Sequence, residues 1–179
     1  MNRLNLQFFA EKPVEGKKII YLFRALSKEA SVTGKTLAFT TENSRSKNKD
    51  SDSVATKDGV IRTSGAVEEE INATALIKKK DTLLADLEDT MDNDGIVEVW
   101  EANLDEPASE MGSGNKFKGR YFQAYLNELE ISSNSEDYAE VSLTFAVIGT
   151  GKKGNVTVTP AEQEVADYVF KDSTTNPGK

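Results

Sequence analysis

The alternation between Tyr138 and Gly149 constrains this chain more than any other feature. Ala139, Val141, Leu143, Phe145 and Val147 fall on one side, and Glu140, Ser142 and Thr144 on the other. A period of two fits a strand with one packed face and one wet face, and does not fit a helix. Val60 to Ile77 repeats it, with Ile71, Ala73, Ala75 and Ile77 set against Glu70, Asn72 and Thr74. One-sided strands must bury their apolar faces against one another, so a mainly β, antiparallel chain is expected.

The remaining segments extend this plan. Lys18 to Ala25 is apolar on both faces, with Ile19, Tyr21 and Phe23 on one and Ile20 and Leu22 on the other, and reads as a strand buried on both sides. Lys35 to Thr41 is expected to be a second strand, with Leu37 and Phe39 inward. Gly95 to Asn103 carries Ile96, Val97, Val99 and Trp100 as another. Along Lys116 to Ser132 the apolar face runs Phe122, Ala124, Leu126 and then shifts to Leu129 and Ile131, which predicts a bulge near Asn127-Glu128. Gly149 to Gly154 is expected to be a break before a short strand carrying Val156 and Val158. Only Asp81 to Met91 has helical spacing, with Leu83, Leu84, Leu87 and Met91 on one stripe, Asp81 as N-cap and Asp94-Gly95 as stop.

Glu42 to Gly59 breaks the pattern. It is dense in Ser, Asn, Lys and Asp, and Val54 is its one large apolar residue. Such a stretch buries too little surface to offset its ordering entropy, so a long polar loop is expected, either flexible at the surface or ordered on a partner. The fold class is therefore an antiparallel β-sandwich or open barrel with one flanking α-helix, a long inter-strand loop and extended terminal arms. Residues 1–17 form the N-terminal arm, 18–159 the β domain and 160–179 the C-terminal arm.

The chemistry is mostly negative. The chain has neither cysteine nor histidine. That removes thiolate nucleophiles, disulfides, the usual general base and the commonest metal ligands, and argues against an enzyme. No catalytic, cofactor or metal site is expected. Gly149-Thr150-Gly151-Lys152-Lys153-Gly154 lacks the spacing and the following helix of a phosphate loop. Asp50-Ser51-Asp52 lacks the Gly and Glu of a calcium loop. Lys78-Lys79-Lys80 is too short a run to hold nucleic acid or membrane, and a net charge of −8 opposes tight nucleic-acid binding. Trp100 reads as core or subunit interface. The apolar stretch within Met1 to Ala10 is too short, and too interrupted by Asn5 and Gln7, for a secretion signal, so synthesis in a cytoplasm is expected.

Three stretches carry a family resemblance. They are Leu4-Asn5-Leu6-Gln7-Phe8-Phe9-Ala10, then Thr56-Lys57-Asp58-Gly59 leading to Thr63-Ser64-Gly65, and Gly149-Thr150-Gly151 through Val156-Thr157-Val158-Thr159-Pro160 to Tyr168-Val169-Phe170. In these the chain resembles, over essentially its whole length, the major tail-tube proteins of siphophages of Gram-positive hosts, the TP901-1-like major tail proteins. The resemblance implies a structural subunit that forms hexameric rings stacked into a channel for DNA delivery. It implies a tape-measure protein in the lumen, tail terminator and distal tail proteins as partners, DNA passing without specific binding, and a place in the virion tail. The ring-stacking residues are then expected in the polar segment: Glu42, Arg45, Lys47, Lys49, Asp50, Asp52, Val54 and Lys57. Arm contacts are expected from Leu6, Phe8, Phe9, Tyr168 and Phe170. The competing reading is a monomeric β-sandwich module binding carbohydrate or a host-surface receptor, with Tyr121 and Tyr125 as its exposed aromatics.

Overall fold

The computed structural model describes residues 13–108 and 114–166. Seven strands form one antiparallel sheet: β1 (Ile19–Ala25), β2 (Thr40–Thr56), β3 (Gly59–Leu76), β4 (Val97–Pro107), β5 (Lys116–Ser132), β6 (Glu140–Val147) and β7 (Lys152–Thr157). The order is β1-β4-β5-β6-β3-β2, with β7 also on β5. β5 organises the sheet. Its first half pairs with β4 on one edge and β7 on the other, and its second half pairs with β6. β6 and β7 therefore follow each other along one edge of β5, and among the described residues the opposite edge beyond Ala124 is unpaired. The register slips between Leu126 and Glu128, where the phase change predicts a bulge.

The sheet curls on itself. Tyr21, Phe23, Val97, Val99, Phe122 and Ala124 face Ile71, Ala73, Val141, Leu143 and Phe145 across a common core, and the Phe23 and Phe145 rings stack at 5.1 Å. Helix α1 (Thr82–Asp92) packs on β1 and β5 with Leu83, Leu84 and Leu87 buried. Asp81 caps it, accepting from the amides of Leu83 and Leu84 at 3.0 and 3.3 Å. A smaller cluster of Leu22, Ala102, Val156 and Val158 lies on the outer side of β1, β4 and β7, beside Trp100. This is the sandwich or open-barrel class expected from the alternation.

Four expectations need correction. Glu42 to Gly59 is not a loop: Glu42 to Thr56 lies in β2, which pairs along its length with β3, and Gly59 opens β3 after a two-residue turn. A polar segment holds strand geometry because each residue borrows backbone hydrogen bonds from its neighbour, without an apolar face of its own. Lys35 to Thr41 is not a strand: Lys35 makes a single bridge to Phe23, and Phe39 turns the chain with φ 52. Phe39 is consequently 65% exposed rather than inward, while Leu37 is buried. The break at Gly149 to Gly154 is shorter than expected, since β7 begins at Lys152. Past β7, Pro160–Ala166 forms a short helix, α2, where the start of an extended C-terminal arm is expected.

Candidate functional site

Two surfaces are built for something other than the core. The first is the hairpin of β2 and β3. β6 pairs with β3 only from Glu70 to Leu76, so beyond Glu69 the hairpin is a ribbon of two strands whose outer edges pair with none of the described residues. About ten residues at roughly 3.3 Å each carry it about 30 Å past the sheet. Its turn is Lys57-Asp58, closed by Thr56 opposite Gly59, where φ +135 suits glycine, and the Thr56 hydroxyl donates to the Gly59 carbonyl at 2.7 Å.

Ion pairs fix the root of this ribbon. Arg45 Nε donates to Glu101 Oε2 at 2.8 Å, and the Tyr21 hydroxyl donates to the same oxygen at 2.6 Å. Arg45 also lies over the Phe122 ring. This set ties β2 to β1 and β4, at opposite ends of the sheet order, so side chains rather than backbone ladder close the barrel there. One step outward, Lys47 pairs with Glu69, which also accepts from the Gly151 amide at 3.4 Å. Burial alone would raise the Glu69 carboxyl. The Lys47 bond and the Gly151 N–H outweigh it and hold the carboxyl below its usual range.

The second surface is the wet face of β2, β3, β6 and β5. Registers align Ser44, Asn72, Thr144 and Glu128 in one row, and Glu42, Thr74, Ser142 and Glu130 in the next. Glu70 and Glu140 extend the field. Thr144 donates to Asn72, and Asn72 to Glu70, along it. Among these aligned positions there is no lysine or arginine, so the face is acidic and otherwise polar, with Ala146 and Tyr125 in the row of Glu70 and Leu76 beside Glu140.

The residues expected to stack rings thus divide. Arg45 and Lys47 are engaged inside the subunit. Lys49, Asp50, Asp52, Val54 and Lys57 are exposed on the ribbon, and Glu42 lies on the acidic face. Leu6, Phe8, Phe9, Tyr168 and Phe170 lie outside the described residues. Tyr121 is half-buried, donating to Glu98 at 2.8 Å, while Tyr125 is exposed. Trp100 is half-buried with the Arg24 guanidinium 5.0 Å above its ring. Sequence reasoning missed Tyr21, Glu69, Glu98 and Glu101, since carboxylates inside apolar strands give no local signal of their partners.

The phage tail tube protein family model matches residues 13–152. A tail protein of Staphylococcus phage phiMR25 is 29% identical over 87% of this chain and 80% of its own length. A tail tube protein of Bacillus phage SPP1 is 25% identical over 85% of this chain and 56% of its own length. In fold, the chain is similar to the SPP1 tail tube subunit, with TM-score 0.68, 21% identity and 93% of each chain covered. The tail of an empty gene transfer agent particle follows at TM-score 0.58 and 15% identity, covering 77% of this chain and 96% of its own. The chain belongs to the phage tail tube protein family and is a structural, β-rich subunit of the virion tail.

Proposed function

We propose that the subunit polymerises as stacked rings, hexameric in number, with the acidic face of β2, β3, β6 and β5 lining a channel through which DNA is delivered. The observation that carries this reading is the pair of free edges on either side of that face, the outer edge of β2 and the edge of β5 beyond Ala124. An edge on each side of a four-stranded sheet lets copies join side by side into a closed β-lined ring. The solved gene transfer agent tail, refined with C6 symmetry, is consistent with six copies. Glutamates facing inward repel phosphate, so DNA passes without being held. The ribbon and the terminal arms join one ring to the next. A tape-measure protein fills the lumen before DNA, and tail terminator and distal tail proteins close the ends. The subunit performs no catalysis.

Electron microscopy of the purified protein over a concentration series tests this reading, beside a variant with residues 50–64 replaced by a tight turn. Rings and tubes are expected from the parent, and single rings from the truncated form. A parent that stays monomeric at every concentration overturns the proposal.

A further inference from the structure

The ribbon has apolar residues at its tip and the sheet has apolar residues at its opposite end. Val54 faces Ile61 across the ladder, and the adjoining pair, Ala55 and Val60, points to the other face. Val54, Val60 and Ile61 are all more than half exposed, on a ribbon whose other residues are mostly polar or small. Apolar side chains on both faces suit a tip inserted between surfaces rather than laid on one.

At the other end, Phe39 and Tyr138 sit beside the last residues of β3. The Leu76 amide donates to the Phe39 carbonyl at 3.1 Å and the Ile77 amide to the Ala139 carbonyl at 2.8 Å. Tyr138 is 81% exposed, and Ile131, near the same end of β5, is half exposed. Phe39 is the telling residue. Its φ of 52 is an outlier for a bulky side chain, and the turn is pinned by the Thr40 hydroxyl donating to the Leu37 carbonyl at 3.0 Å. The backbone accepts strain to place a phenyl ring in water when the alternation would have buried it. Such strain collects at functional positions.

We propose that the tip bearing Val54, Val60 and Ile61 docks on the Phe39–Tyr138 end of a second copy of this chain. The proposal rests on the tube reading above. The contact joins unlike patches at opposite ends of β3, so every copy offers one of each and the contact repeats without closing. A tip-to-tip contact would instead close a dimer and leave the Phe39 end in water.

The cysteine-free sequence makes the test clean. Ile61→Cys and Tyr138→Cys are made separately, checked by circular dichroism for an unchanged fold, mixed in equal amounts, assembled and treated with a short bismaleimide. The expected product is a cross-linked dimer whose peptides join position 61 to position 138. Ile61→Cys mixed with Glu88→Cys on the helix should give none. Tubes without the 61–138 link overturn the docking and leave the tube reading standing. A dominant 61–61 link also overturns it, in favour of tip pairing. A mixture that forms no assembly at any concentration overturns both.

Discussion

Glu98 shows how tightly single residues are committed in this subunit. It is 3% exposed, accepts from Arg24 Nε at 2.7 Å and from the Tyr121 hydroxyl, and holds Arg24 over Trp100. Removing one partner of a buried pair strands the other charge, at about 3–5 kcal/mol. Glu98→Ala should therefore lower the unfolding free energy by about that amount in denaturant titrations, whereas surface changes such as Glu88→Ala should stay within about 0.5 kcal/mol. Tyr21 supplies a pH dependence. Burial first, and then the bond to Glu101, raise its phenol well above the usual value. The unfolded chain loses this proton near pH 10 while the folded one keeps it. Its contribution is thus complete below about pH 10 and declines above. Glu69 acts in the opposite direction: its lowered carboxyl adds stability above the ordinary glutamate value of about 4.3 that is lost as pH falls through the folded value. Tyr21→Phe should flatten the alkaline limb of a stability–pH curve and leave the acid limb intact.

Among the elements, the β2–β3 ribbon differs most from its surroundings. Two strands without a third are marginal in water. Amides from Lys49 to Val67 should exchange rapidly in the isolated subunit and become protected on assembly, which hydrogen–deuterium exchange reads directly. Equal protection in both states would mean that the ribbon gains nothing from neighbours. This element is also where the sequence is least legible. β5, β6 and α1 announce themselves because one face is apolar: Leu126 and Leu129 even expose the bulge between them. β2 does not, because its positions at the barrel are Asn43 and Arg45, and Arg45 reaches a carboxylate on β4 rather than filling core. Composition measures burial, and a strand stabilised by backbone pairing and ion pairs leaves no trace in it. Phe39 misled for the converse reason, since one left-handed residue reverses the direction an alternating pattern assigns. The pairing of Glu69 and Glu101 with Lys47 and Arg45 could not be read either, because strand order decides it.

At the scale of the whole molecule, charge is segregated. The net charge of −8 is not spread evenly: the face carrying Glu42, Glu70, Glu128, Glu130 and Glu140 holds no compensating cation among its aligned positions. Glu128→Lys with Glu130→Lys, both exposed, should leave the fold and the thermal midpoint unchanged but slow DNA ejection from phage carrying them, measured by potassium efflux or DNA release. Unchanged ejection kinetics would separate this face from the path of DNA. The ribbon has a consequence in time as well as in space. A newly made subunit must wait among many copies of itself, and open strand edges ordinarily invite premature aggregation. Lys49, Asp50, Asp52 and Lys57, all exposed, stud the ribbon with both signs of charge, so that a chance encounter out of register sets like charges against each other. On the tube reading, polymer growth should then be slow to begin and fast to continue, a lag that light scattering of assembling subunits would record.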